Sequence, residues 1–181
     1  MSTDFLVTRL FGCGLGRVES TITTMIIEIV RANEHHITEL GNLWMEFMRY
    51  SHEIDPVFTP HDGTIPIFIK EYLHPAMEAE NSLVLVALDE GNVVGYSYSL
   101  IIETSNLEDR VKYGCIHDLF ITVAHRRKGI GEKMLGEIMK WFYSNDIHRI
   151  ELDVIAQNQV ASSFWKKHGF RDFKRTLYRH L

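Results

Sequence analysis

Between Leu119 and Gly131 the chain reads Leu119-Phe120-Ile121-Thr122-Val123-Ala124-His125-Arg126-Arg127-Lys128-Gly129-Ile130-Gly131, an apolar run that gives way to consecutive cations and two spaced glycines. This order predicts a strand, a tight basic turn and the start of a helix. The first amides of a helix lack internal partners, and the helix dipole favours an anion at that end. Gly129 and Gly131 leave no side chain between the backbone and an approaching ligand. Arg126, Arg127 and Lys128 add positive charge to the same turn. Together these features describe a cradle for a pyrophosphate. A solvated basic turn with a glycine at a helix start is the plainer alternative.

Other phosphate-binding patterns fit worse. The spacing G-x-x-x-x-G-K-[ST] is absent around Gly129. Gly12-Cys13-Gly14-Leu15-Gly16 is G-x-G-x-G rather than G-x-G-x-x-G, and a strand rather than a helix is expected after it.

The elements that must position this turn can be read along the chain. Residues 1–24 have no sustained period and are expected to be an extension of unassigned role, with the domain spanning 25–181. Ile26 to Val30 reads as a strand, and Asn33 as an N-cap. Ile37, Leu40, Trp44, Phe47 and Met48 follow at helical spacing. Asp55-Pro56 ends that helix, and a second, shorter helix is predicted over Phe68 to Ala79. Leu83 to Leu88 and Val93 to Ile102 form a predicted hairpin around Asp89-Glu90-Gly91-Asn92. Ser105 to Arg110 reads as a polar loop. Ile116 to Val123 and Ile150 to Ile155 are further strands, separated by a helix that carries Met134, Leu135, Ile138, Trp141 and Phe142 on one face. Asn158 to His168 is a helix closed by Gly169. Phe170 to Phe173 and Thr176 to Leu181 are predicted as terminal strands. The pattern gives an α/β domain.

With these elements in place, Arg126 to Gly131 resembles the Arg/Gln-x-x-Gly-x-Gly/Ala signature of the GNAT family of N-acetyltransferases. Downstream, Asn158-Gln159-Val160-Ala161-Ser162-Ser163-Phe164-Trp165-Lys166-Lys167-His168-Gly169-Phe170 is similar to that family's Asn-x-x-Ala-x-x-x-Tyr-x-x-x-Gly-Phe segment. The resemblance extends over about Met25 to Leu181. It implies a mixed, largely antiparallel sheet of six to seven strands flanked by helices, whose central strands splay to form an acetyl-CoA cleft. Pantetheine would pair with Leu119, Phe120 and Ile121 as a substitute strand. The pyrophosphate would lie on Arg126, Arg127, Lys128, Gly129, Ile130 and Gly131, with Asn158, Ser162 and Trp165 also lining the cofactor. The implied reaction is attack by an amine on the acetyl group through a tetrahedral intermediate.

An ammonium with a pKa of about 10.4 costs roughly 4–5 kcal/mol to deprotonate at pH 7, so a base is useful. His117 is the candidate base, and the amide of Leu119 the candidate oxyanion donor. By strict alternation His117 and Leu119 share a face of the strand and Asp118 points away. A core histidine bonded to a neighbour is the competing reading of His117. Trp165 stands where many relatives carry a tyrosine that protonates the leaving thiolate, and indole has no comparable acidity. Tyr50, Asp55, Phe58 and Glu71 are candidates for the acceptor pocket. Cys115 reads as a structural strand residue.

Composition narrows the remaining classes. A 45 % hydrophobic share supports a sizeable core, and a formal net charge of -5 argues against a general nucleic-acid binder. The two cysteines, with no leader pattern at the start and no long apolar run, point to a cytoplasmic protein with free thiols. His35, His36 and His52 lack metal-binding spacing, so no metal is expected. Exposed terminal strands make a homodimer the expected assembly. An acyl-CoA-binding sensor without turnover is the alternative function on the same fold.

Overall fold

The computed structural model describes residues 26–61, 63–105 and 110–179. The proposed extension 1–24, with Cys13 and the glycines at 12, 14 and 16, lies outside them, as do 106–109 of the predicted loop. The sheet has strands β1 (Ile27–Arg31), β2 (Ser82–Asp89), β3 (Asn92–Ser105), β4 (Arg110–Ile121) and β5 (Ile150–Glu151), in spatial order β1-β2-β3-β4-β5. Neighbours are antiparallel except β4 and β5, which run parallel. The α/β class and the mixed sheet agree with the sequence reading.

Helices cover both faces. On one side lie α1 (Ile37–Ile54), α2 (Thr64–Phe68) and α3 (His74–Glu78); on the other lie α4 (Ile130–Ser144) and α5 (Gln159–Lys167). Strand β2 shows why the sheet is covered twice. Its Leu83, Leu85 and Ala87 pack with Met134, Ile138 and Phe142 of α4, whereas Val84 and Val86 pack with Leu40, Leu43 and Phe68 of the α1–α3 layer. Successive side chains leave a strand on opposite faces, so a continuous apolar run serves two cores.

Asn33 caps as expected, although its oxygen accepts from His35 N in a 3-10 turn, Glu34–His36, that leads into α1. The predicted helix over Phe68 to Ala79 becomes α2 and α3 joined by a π-helical turn, Ile69–Leu73. Pro75 has no N–H to continue an ordinary ladder, and the widened turn precedes it. Among the described residues no helix is long and apolar enough to cross a membrane.

Strand count is the main correction. Among the described residues the sheet has five strands rather than six or seven, because 170–179 carries no strand; His180 and Leu181 lie outside the described residues. Phe173, Leu177 and Tyr178 in this segment are exposed, so alternation there does not reflect a buried face. The argument for a homodimer through terminal strands falls with it. Strand β4 begins at Arg110 instead of Ile116, drawn into a long hairpin by pairing such as Thr104↔Val111 and Ile102↔Tyr113. Arg110, Lys112 and Gly114 hide that stretch from propensity. Strand β5 keeps only Ile150 and Glu151 of the six predicted residues, yet Leu152 and Val154 still pack against the α4-side core.

Candidate active site

The candidate site starts where the pairing of β5 ends. Only Gly114↔Ile150 and Cys115↔Glu151 pair β4 with β5, so among the described residues β4 has no strand on that edge from Ile116 onward. Backbone polar groups along such an edge are open to an added extended ligand. Leu119, Phe120 and Ile121 lie on this stretch, as the sequence expected.

At the same level the strand changes register on its other edge. Asp118 pairs with Tyr98, but Ser99 pairs with Ile116, which leaves His117 as the extra residue of a β-bulge. The bulge overturns strict alternation. Ile116, Leu119 and Ile121 pack into the core beneath α4, whereas Phe120 packs into the core beneath α1. Asp118 does not point away from His117. It is buried, and its Oδ1 lies 3.2 Å from His117 Nδ1. Its Oδ2 accepts a hydrogen bond from Tyr96 Oη at 3.1 Å. His117 is largely exposed, with the Tyr98 ring centroid 5.3 Å from its own.

These contacts shift the titration of the cluster. The hydrogen bond to Asp118 is the largest influence on His117 and raises its pKa from the ordinary histidine value, against the opposing effect of partial burial. The charges of Asp118 and Asp153 raise it further. Burial is the first cause that pushes Tyr96 well above the usual tyrosine range and also raises Tyr98. Cys115 is likewise raised, chiefly by burial, which fits a structural thiol rather than a nucleophile.

The basic turn is held by its own side chains. His125 lies 2.9 Å from Thr122 Oγ1 through Nδ1 and 3.2 Å from Asp89 Oδ2 through Nε2, which ties the turn to the β2–β3 hairpin. Arg126 donates from Nε to Ile121 O at 3.0 Å, and its guanidinium lies 4.3 Å from the Tyr50 ring centroid. Arg126 therefore braces the turn, and Arg127 and Lys128 are the exposed cations on it. Arg127 and Gly129 have φ of 63° and 79°, in the left-handed region. Gly129 immediately precedes α4, and a Cβ there would meet nothing within 4 Å. This open, left-handed position beside the first amides of α4 fits an anionic group. Gly131 answers a different demand: a Cβ there would lie 3.3 Å from the Phe164 ring of α5.

The downstream segment divides by role. Asn158 is the N-cap of α5, its Oδ1 accepting from Ala161 N at 3.0 Å. The side-chain amide nitrogen is left as its other polar group. Ser162 is half-buried on the first turns of α5. Trp165 is buried in the α4-side core, edge-on to Phe164 and Phe170 at 5.0 Å and 5.1 Å between centroids. It is a packing residue in the place where a hydroxyl was sought.

The acceptor candidates do not converge. Tyr50 lies under Arg126, Asp55 caps a 3-10 turn through Val57 N, Phe58 is at the surface, and Glu71 pairs with Lys70 at 3.5 Å. Sequence reasoning missed Tyr96, Tyr98 and the Asp118 contact. Two tyrosines spaced by two residues do mark one strand face, but only the bulge brings His117 and Asp118 onto that face together.

The chain belongs to the acetyltransferase (GNAT) family, whose model matches residues 37–170. It is similar to an uncharacterized N-acetyltransferase, YobR of Bacillus subtilis, with 30% identity over 67 residues; that match covers 37% of this chain and 27% of the relative. A mutant of the BH1408 protein from Bacillus halodurans superposes with a TM-score of 0.76 at 26% identity, covering 85% of this chain and 99% of the other. The aminoglycoside N-acetyltransferase AAC(6')-Iy, solved in complex with CoA, has the same fold, with a TM-score of 0.65 at 14% identity over 87% of this chain and 95% of its own.

Proposed function

We propose that this chain transfers the acetyl group of acetyl-CoA to a primary amine, either a small molecule or a protein amino group, with His117 as the base. The observation that carries the reading is the interruption of the sheet: β5 pairing stops at Cys115, and the next turn of chain beyond β4 ends in an open left-handed glycine at a helix start. The family match and the CoA-bound relative of the same fold support acetyl-CoA as the donor.

In this reading the open edge of β4 at Leu119 to Ile121 takes the extended arm of the donor. The amides at Gly129, Ile130 and Gly131, with Arg127 and Lys128 beside them, take the diphosphate. The donor supplies an acetyl thioester. His117 accepts a proton from the incoming ammonium, and the freed nitrogen lone pair forms the new bond to the acetyl carbon. The Leu119 amide hydrogen bonds the carbonyl oxygen as charge develops on it. The carbon–sulfur bond then breaks, and the second proton shed by the nitrogen passes to the departing sulfur or to water as CoA is released. A thiol pKa of about 8.5 lets the thiolate depart without a general acid, which accords with the packing role of Trp165.

The buried Trp165 also favours a second reading, a binder of acyl-CoA that does not turn over. One assay separates the two: a panel of amines with acetyl-CoA, scored for free thiol, beside a thermal shift with acetyl-CoA alone. Stabilisation together with thiol release from at least one amine is the expected outcome. Stabilisation without release from any amine would leave the binder, and absence of both would remove the donor site.

A further inference from the structure

The bulge does more than expose His117; it also supplies the imidazole with a carboxylate of fixed orientation. Asp118 follows His117 directly in the chain, and on a regular strand the two would face opposite ways. Here Asp118 Oδ1 lies 3.2 Å from His117 Nδ1. The carboxylate cannot turn freely, because its other oxygen accepts from the hydroxyl of Tyr96, a side chain only 2% exposed. Tyr96 is itself set in the core beneath α1, with Phe120 among its neighbours. A chain of hydrogen bonds thus runs from the core to a mostly exposed imidazole at the open edge of the sheet.

An ionised carboxylate only accepts, so its histidine partner must donate from Nδ1. We infer that Asp118, anchored by Tyr96, is a positioning residue that keeps neutral His117 in the tautomer protonated at Nδ1, so that Nε2 carries the lone pair that receives the substrate proton. The same carboxylate then stabilises the imidazolium that forms. This inference rests on His117 being the base. The groups acting on the imidazole are Asp118 on its own strand, the Tyr98 ring from β3, and the charge of Asp153 from the segment after β5, while Tyr96 reaches it only through Asp118. Of these, Asp118 makes the hydrogen bond to the ring, and Asp153 adds only a charge effect.

Long-range proton–nitrogen NMR of the intact protein tests the tautomer without any variant, His117→Gln serving to assign the signal. Above its titration midpoint, wild-type His117 should show a protonated Nδ1 and an unprotonated Nε2. In Asp118→Asn the midpoint should fall towards the ordinary value of about 6.5 and the tautomers should mix. The acidic limb of kcat/KM should move down in pH with it. The plateau should drop about ten- to a hundredfold, the size of one charge-assisted hydrogen bond, with the KM for acetyl-CoA unchanged. Tyr96→Phe should shift tautomer and limb in the same direction by less. A wild-type His117 protonated at Nε2, or an Asp118→Asn enzyme with the imidazole titration and limb unmoved, overturns the inference. A His117→Gln enzyme that retains the wild-type limb removes the base assignment instead, whatever the tautomer.

Discussion

The two ends of the cleft are built by opposite means. At the basic turn the proposed working groups are backbone amides, beside Arg127 and Gly129, two exposed residues in left-handed conformations. At the bulge the proposed working groups are side chains, a buried Tyr96 and Asp118 bonded in series to an exposed His117. The turn depends on which residue tolerates a backbone conformation. The bulge depends on a register shift between two strands. Changes at the first should therefore appear in donor affinity, and changes at the second in the pH dependence of turnover.

The largest effect should fall outside both, at a packing residue of the α4-side core. Trp165→Ala should destabilise the fold by about 3–5 kcal/mol, as removal of a buried aromatic does. Trp165→Phe should keep turnover near wild type, measured as thiol release. A steep loss of turnover in a well-folded Phe variant would give the indole a chemical role.

At the turn, Gly129→Val forces a β-branched residue into a left-handed conformation at a cost of roughly 1–2 kcal/mol. The dissociation constant for CoA, read by calorimetry, should rise by about five- to thirtyfold, while the tautomer of His117 stays as in the wild type. Unchanged affinity would break the contrast at its backbone end. Arg126→Met should be milder, because the side chain packs on Tyr50 instead of reaching outward. Loss of one cation–π contact is worth about 0.5–2 kcal/mol, so a small fall in melting temperature is expected, seen equally with and without CoA.

The smallest effect concerns pH. The pKa of His117 is raised in the folded state by its bond to Asp118. The stability this adds is fully present below the unfolded value, about 6.5, and is lost as pH rises through the folded value. His117→Ala should therefore lower the melting temperature more near pH 5.5 than near pH 9. The difference should be slight, since solvent screens a side chain that is mostly exposed. A larger penalty at the alkaline end would contradict the Asp118 pairing.

The same contrast explains what could be read from the sequence. A site made from backbone conformation leaves its mark in residue types, so Gly129, the cations and the helix after them were legible in order. Asn158 was legible as a helix start for the same reason. The bulge left no such mark. Alternation counted through Ile116, His117 and Asp118 assigns Asp118 to the wrong side, because one unpaired residue inverts every face beyond it. The short β5 was hidden similarly: Ile150, Leu152 and Val154 alternate as a strand would, but pairing ends once β4 departs from it at Glu151. Among the described residues 170–179 joins no strand of the sheet, an outcome that no local pattern reveals.

The most direct measurement is kcat/KM for thiol release against pH, taken for the wild type and for His117→Ala with one responsive amine. The wild type should show an acidic limb set by the imidazole. The variant should lose that limb and about 10²–10⁴ in rate, while acetyl-CoA still raises its melting temperature. Superimposable profiles for the two proteins would mean that the residue exposed by the bulge takes no part in the proton transfer.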